Sequence, residues 1–261
     1  MDFLANYFGS LNPMSFLSAL PGNIAQGIIW GLMGLGVFLT FKLLNFADLS
    51  VDGSFATGGA VTAVMLINGC PVWATIIVAI LAGLAAGLVT GLLHTLLGIP
   101  DILAGILTQI ALYSINLNIM GKSNLPISYR NYTLVVSASN INMAILVGLG
   151  ICAVVIAAMY WYFGTEQGST IRSTGSNPAM SKAQGININF TKVIALALSN
   201  GLVALSGSLF AQYQGFADIN MGRGAIVIGL AAVIIGEVLG EAIFRKHMNF
   251  IIRMVLSLIH I

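Results

Sequence analysis

The sequence predicts an all-α, polytopic transmembrane helical bundle with about eight spans. Of its 261 residues, 58% are hydrophobic and only 7% are charged, whereas soluble domains carry roughly 25% charged residues. Polar interruptions separate apolar runs long enough for the ~20 residues that cross a ~30 Å hydrocarbon core. Because these runs are continuous rather than alternating, helices are favoured over a closed β-barrel, the other structure that satisfies its backbone in lipid.

The expected spans are 24–42, 55–69, 72–97, 101–120, 141–163, 191–213, 223–244 and an incomplete one from 248. The second span is short and follows a polar interruption, which predicts a discontinuous helix. In the third, Gly83, Gly87 and Gly91 recur every four residues. They therefore fall on one face, where we expect a neighbouring backbone to approach closely.

Neither end of the chain is expected to form a complete membrane span. Residues 1–21 contain Asp2 and no basic segment, so we expect a short interfacial helix rather than a cleavable signal peptide. Residues 256–261, Leu-Ser-Leu-Ile-His-Ile, resemble a translated sequencing adapter. We therefore expect a transmembrane domain over residues 1–255, a truncated last span and a tail that is not native; a genuine hydrophobic tail is the alternative.

The distribution of Lys and Arg orients the spans. If the loop 164–190 is cytoplasmic, six basic residues lie inside and three outside, in agreement with the positive-inside rule. The inside set is Lys42, Arg172, Lys182, Lys192, Arg245 and Lys246, and the outside set is Lys122, Arg130 and Arg223. This orientation places the polar break 43–54 toward the cytoplasmic half. The net charge of +2 is too small and dispersed to indicate a nucleic-acid-binding protein.

The polar break contains two carboxylates between two apolar runs. Within a bilayer, such a break is tolerated where it is buried in protein or lines a cavity. Asp48 and Asp52 are four residues apart and would share a face if the stretch were helical. One interpretation places Asp48, Ser50 and Asp52 along a pathway or its cytoplasmic gate. The other makes them caps of broken helix ends, where their oxygens accept backbone N–H groups.

The fourth span carries a polar stripe. Gln109, Tyr113 and Asn116 follow one another at spacings of four and three, so they lie on one helix face. This face either lines a cavity that contacts a solute or makes interhelical hydrogen bonds. If it contacts a solute, Tyr113 would suit an aromatic or aliphatic one.

The loop from Gly164 to Lys192 is too polar to span and too long for a simple turn. Within it, Asn177 can cap a helix that has Pro178 at its first position, and Gly185 supplies the left-handed residue that ends it. We therefore expect a two-turn cytoplasmic helix at about 178–184. This helix either contacts a partner protein or lies on the anionic headgroups.

The loop and the break resemble those of permease subunits in bacterial ABC importers, in the superfamily of branched-chain amino-acid and ribose permeases. The loop contributes RSTGSNP at 172–178 and AQGIN at 183–187. The break contributes LNFA at 44–47, similar to the amino-acid type, and DLSV at 48–51, similar to the ribose type. The resemblance covers about residues 27–244 and is strongest to the compact tryptophan/tyrosine-type permeases.

The resemblance implies an importer of several chains in the bacterial plasma (inner) membrane. Two permease subunits, expected to be a homodimer, would form the pathway, separate ABC ATPase subunits would drive it, and an extracellular substrate-binding lipoprotein would deliver the solute. The expected solute is an amino acid, aromatic or branched-chain, with a sugar or nucleoside as the alternative. The sequence contains no G-x-x-x-x-G-K-[ST] loop, so ATP hydrolysis is expected on another chain.

The resemblance also makes the loop 164–192 of the transmembrane permease domain a coupling loop that docks in a groove of the ATPase. Its expected residues are Arg172, Asn177, Pro178, Met180, Lys182, Ala183 and Gly185, with Met180 and Ala183 as apolar contacts and Arg172 and Lys182 as flanking charges. No cofactor or metal site is expected. The rival interpretation is a self-sufficient secondary transporter, in which Asp48 and Asp52 would bind a coupling ion.

Overall fold

The structure is a computed structural model, and it describes residues 13–127, 132 and 134–243. Within these residues the helices are α1 (Pro13–Val37, continued by a π-helical turn, Phe38–Leu43), α2 (Val51–Ile67), α3 (Val72–Leu96), α4 (Asp101–Met120), α5 (Ile141–Phe163), α6 (Glu166–Ser176), α7 (Pro178–Ala183), α8 (Ile188–Gln214) and α9 (Ala225–Ile243). Two short strands, β1 (Asn124–Pro126) and β2 (Phe216–Asp218), pair antiparallel.

Among the described residues, five helices are long and apolar enough to cross a membrane: α1 with its π-helical turn, α3, α4, α5 and α8. The helices α2 and α9 are apolar but shorter. The helical membrane fold is thus confirmed, whereas the expected count of about eight spans is not. The incomplete span from 248 and the tail 256–261 lie outside the described residues, as does most of the expected N-terminal interfacial helix.

The predicted discontinuity lies between α1 and α2. Residues 44–50 are non-helical, and Asn45 adopts a left-handed backbone with φ of +54°. However, the break is shorter than expected, because α2 begins at Val51 and includes Asp52 and Ser54. These polar residues remain helical since their side chains bond to other elements rather than to the local backbone.

The helix α8 is the centre of the bundle, and the glycine face of α3 packs directly against it. A Cβ atom on Gly87 would overlap the carbonyl oxygen of Leu196, and one on Gly91 would lie 2.8 Å from the Cα atom of Val193. Gly83 meets α8 in the same way. The predicted packing face is therefore confirmed, and its contacts reach backbone atoms, as small residues allow between membrane helices.

Hydroxyl groups on α8 attach α1 to the same centre. Ser199 donates to the carbonyl oxygen of Gly36 over 2.8 Å, and Ser206 donates to that of Ile29 over 2.6 Å. Both serines are fully buried. Such interhelical hydrogen bonds stabilise helix pairs where no water is available to satisfy the hydroxyl groups.

We expect Gly87→Val to destabilise the protein, because the added side chain would force α3 away from α8. Overpacking of this kind costs about 1–3 kcal/mol. The matched control is Gly150→Val on α5, where a Cβ atom meets nothing within 4 Å. Thermal denaturation of the detergent-purified variants, followed by size-exclusion chromatography, measures the difference. An equal loss of stability in the two variants would contradict the backbone contact at Gly87.

Candidate functional site

The predicted loop helix is present as α7, which ends at Ala183, one residue before the expected end. The Asn177 side chain accepts a hydrogen bond from the Met180 amide over 3.0 Å, and Pro178 occupies the first helical position. Gly185 follows with φ of +83°. The local capping signals therefore determined this helix, as expected. Met180, Lys182 and Ala183 are exposed on it.

A second loop helix, α6, precedes α7 and was missed by the sequence analysis. Thr165 caps it, and the guanidinium group of Arg172 donates to the carbonyl oxygen of Phe163 over 2.8 Å, which ties α6 to the end of α5. At Gly175, a Cβ atom would overlap the carbonyl oxygen of Leu43. The helix α6 therefore rests directly on the end of α1, where the break begins.

The carboxyl group of Asp48 is buried in a hydrogen-bond cluster between the break and α8. One oxygen accepts from the Ser50 amide over 2.9 Å and from the Ser50 hydroxyl over 2.5 Å, and the other accepts from the Asn200 amide over 2.7 Å. The Asn200 carbonyl oxygen in turn accepts from Ser54. All four residues are at most 1% exposed. We call Asp48, Ser50, Ser54 and Asn200 the Asp48 cluster.

The carboxyl group of Asp52 caps a different helix, α9. Its two oxygens accept from the backbone amides of Gly224, over 3.0 Å, and Ile226, over 2.9 Å. Asp52 lies about 22 Å along the α2 axis from Ile67 at the far end. The N-terminus of α9 therefore lies beside the first turn of α2, at the opposite end of that helix from Ile67, and a carboxylate there is favoured by the helix dipole.

A cavity of about 320 Å³ opens beside this cap. It is lined by polar and charged side chains from α2, α4 and the turn before α9, together with a few apolar groups. The polar members are Asp52, Gln109, Tyr113, Asn116 and Arg223. The guanidinium carbon of Arg223 lies 6.0 Å from the centre of the Tyr113 ring, within the range of a cation–π interaction. We call this space the α9 cavity.

Asn116 is the unusual member of the cavity wall. Its side chain is 0% exposed, yet neither its amide nitrogen nor its carbonyl oxygen has a hydrogen-bond partner among the described residues. A buried amide without partners is unfavourable by about 1–3 kcal/mol. Such a group in a native protein calls for an explanation, such as an ordered water or a functional role.

The α9 cavity brings together four of the six residues predicted for a pathway or gate: Asp52, Gln109, Tyr113 and Asn116. Asp48 and Ser50 lie outside it, in the Asp48 cluster. The two carboxylates thus do not share a face, because residues 44–50 are not helical. Sequence reasoning missed the cavity residue Arg223, which it had counted only as an outside basic residue.

Comparison with known proteins places the chain in a family. The permease component family of the branched-chain amino acid transport system matches residues 22–259. The chain belongs to this family of ABC transporter permeases. A tyrosine transport system permease protein of Clostridioides difficile (strain R20291) is 45% identical over 221 residues, which is 84% of this chain and 73% of that protein.

More distant relatives cover a similar part of the permease. An uncharacterised protein of Rickettsia prowazekii (strain Madrid E) is 32% identical over 87% of this chain and 78% of its own length. A D-allose transport system permease protein of Escherichia coli (strain K12) is 28% identical over 88% of this chain and 71% of its own length. The relatives thus include both amino-acid and sugar systems.

Family membership confirms the resemblance seen in the loop and the break. The permease is a multi-pass inner-membrane component of an ABC transport system, which works with ATPase and substrate-binding partners. ATP is hydrolysed by separate subunits, so the permease is not an enzyme. The rival interpretation of a self-sufficient secondary transporter is therefore wrong.

Two buried asparagines should respond oppositely to replacement by leucine. Asn200→Leu removes the donor to one buried oxygen of Asp48 and the acceptor of the Ser54 hydroxyl, and we expect the free energy of unfolding to fall by about 3 kcal/mol. Asn116→Leu removes no hydrogen bond, so we expect unchanged or higher stability. Thermal denaturation of the two purified variants makes the comparison. A large loss of stability in Asn116→Leu would mean that Asn116 has a structural partner.

Proposed function

We propose that the permease is the pathway subunit of an importer that moves an amino acid, aromatic or branched-chain, into the cytoplasm. The observation that supports this proposal is the α9 cavity. It combines a carboxylate, a guanidinium group and the aromatic ring of Tyr113 beside the first turn of α2. The 45% identity to a tyrosine permease supports the same solute class more strongly than the 28% identity to a D-allose permease supports a sugar.

The exposed surface of α7 is the proposed coupling site for the ATPase, within a permease domain whose coupling loop covers residues 164–192. Met180 is 59% exposed and offers an apolar contact, while the neighbouring Ser181 is buried. Movement of α7 would reach the break through α6, since Gly175 contacts the backbone of Leu43. This contact is a direct physical connection between the ATPase-facing loop and the transmembrane helices.

The permease is further proposed to act as a homodimer that covers the α9 cavity. The cavity opens on the side of the bundle formed by α4, where Ile110 is 61% and Tyr113 is 42% exposed. Arg223 is also exposed there. Charged and polar side chains that face the hydrocarbon core of a bilayer are unfavourable by a few kcal/mol. A second copy placed over this side would remove them from lipid and enclose a pathway.

We expect Met180→Glu to reduce uptake and ATPase binding at least tenfold, because it places an unpaired charge in an apolar groove of the partner. Ser169→Glu, which adds the same charge to an exposed position on α6, is the matched control. The assay measures co-purification of the system's ATPase and uptake of radiolabelled L-tyrosine, L-leucine and D-allose by cells that express the complete system.

Normal ATPase co-purification with Met180→Glu would overturn the assignment of α7 as the coupling helix. Uptake of D-allose without uptake of either amino acid would overturn the proposed solute class. Co-purification with Met180→Glu tests the coupling helix, and the choice of solute by the wild-type system tests the solute class. Each part of the proposed function can therefore fail without the other.

Single cysteines test the dimer. In a variant with Cys70 and Cys152 replaced by alanine, Ile110→Cys should form a crosslinked dimer with a bis-maleimide reagent in membranes. Leu146→Cys on α5, which is 67% exposed, should not. Electrophoresis under reducing conditions separates the products. Efficient crosslinking at Leu146→Cys alone would place the interface on α5 and contradict the proposed arrangement.

A further inference from the structure

The negative charge of Asp52 in the α9 cavity is partly balanced by the protein. Each oxygen of Asp52 accepts one backbone N–H group, from Gly224 or Ile226, at the N-terminus of α9. The helix dipole there is equivalent to about half a positive charge. Each carboxylate oxygen still has a lone pair that can accept a further hydrogen bond.

The positive charge of Arg223 is balanced less completely. Its guanidinium group lies over the Tyr113 ring, and among the described residues it forms no ion pair with a carboxylate. An arginine near a low-dielectric wall attracts an anion, and its planar fork matches a carboxylate in particular. The cavity therefore favours a ligand that carries a carboxylate.

The side chain of Asn116 can bond to both a hydrogen-bond donor and a hydrogen-bond acceptor of a ligand. Its fully buried amide presents two N–H donors and a carbonyl oxygen, all without partners among the described residues. If this side chain turns into the cavity, a ligand with an ammonium group and a carboxylate on one carbon can satisfy both ends of the amide. A ligand of hydroxyl groups alone would leave Arg223 without an anion.

The remaining wall of the cavity is apolar. Ala56, Ile110 and Ile219 line it beside the face of Tyr113. A volume of about 320 Å³ lies at the lower end of the range for small-molecule sites. The space thus suits a small solute with an apolar or aromatic side chain, in addition to the charged groups.

We propose that the α9 cavity is a binding site for a free α-amino acid in its zwitterionic form. Arg223 binds the carboxylate, and the free lone pairs of Asp52 accept from the ammonium group. The Asn116 side chain turns into the cavity and bonds to both charged groups. This inference rests on the proposed function, since it assigns the solute's contacts within the pathway. It also identifies Arg223 as a specificity-determining residue, because an uncharged sugar offers it no carboxylate for an ion pair.

The test uses the complete transporter reconstituted in proteoliposomes with its ATPase and binding protein. Arg223→Gln should reduce uptake of radiolabelled L-tyrosine or L-leucine at least tenfold, and Arg223→Lys should retain more of it because the charge is kept. Asn116→Leu should also reduce uptake at least tenfold. The matched controls are Lys122→Gln and Asn118→Leu, both at exposed positions outside the cavity wall, and they should transport normally.

A second measurement examines the ligand groups directly. Competition against a radiolabelled amino acid, measured as uptake by the complete transporter in proteoliposomes, should be strong for the unlabelled amino acid. It should be at least tenfold weaker for the corresponding amine, which lacks the carboxylate, and for the deaminated acid. ATPase co-purification with each variant establishes that assembly is intact.

The outcomes separate this inference from the proposed function. If the wild-type system imports amino acids and Arg223→Gln and Asn116→Leu do so equally well, the zwitterion site is overturned while the importer stands. Equal competition by the amine would also overturn it. If the wild-type system imports no amino acid, the proposed solute class itself is wrong.

Discussion

The Asp48 cluster is the interaction on which the arrangement of the bundle depends. It joins the break to the middle of α8 through the Asn200 side chain, 152 residues away in sequence. Because every member is buried, loss of one partner leaves polar groups that water cannot reach. The cluster fixes where α2 begins, and this position in turn places Asp52 beside the amides of α9. The cavity thus depends on a carboxylate that does not line it.

The same cluster lies on the connection between the loop helices and the α9 cavity. The helix α6 contacts the end of α1 at Leu43, the break follows directly, and α2 then carries Asp52. These contacts are contiguous, so a displacement of the loop helices can be carried through them to the cavity. Displacement of α7 by an ATPase would therefore act first on the segment that positions Asp48.

Local signals made some features predictable from sequence, and long-range contacts made others inaccessible. Asn177, Pro178 and Gly185 determined α7 because capping involves only near neighbours, and helix spacing placed Gln109, Tyr113 and Asn116 on one side. The separate roles of Asp48 and Asp52 depend on partners in α8 and α9, so no local pattern distinguishes them. Arg223 was missed because its place in the cavity depends on the contact between the N-terminus of α9 and Asp52. The sequence predicted only that a span begins at residue 223.

The glycine contacts described for α3 and α8 have a mechanical consequence. Helices that touch through backbone atoms cannot shift past each other without a clash, so α3 and α8 behave as one solid unit. By contrast, α9 meets α1 through side chains, since a Cβ atom on Gly229 would contact the side chains of Val37 and Met33. The α2 wall of the α9 cavity belongs to the same unit, since a Cβ atom on Gly58 of α2 would overlap the carbonyl oxygen of Ala204 on α8. A Cβ atom on Gly222 would likewise overlap the carbonyl oxygen of Asp52, so the turn that carries Arg223 is fixed to α2. A shift of α9 against α1 would therefore leave Arg223 beside Asp52 and keep the charged groups of the cavity together.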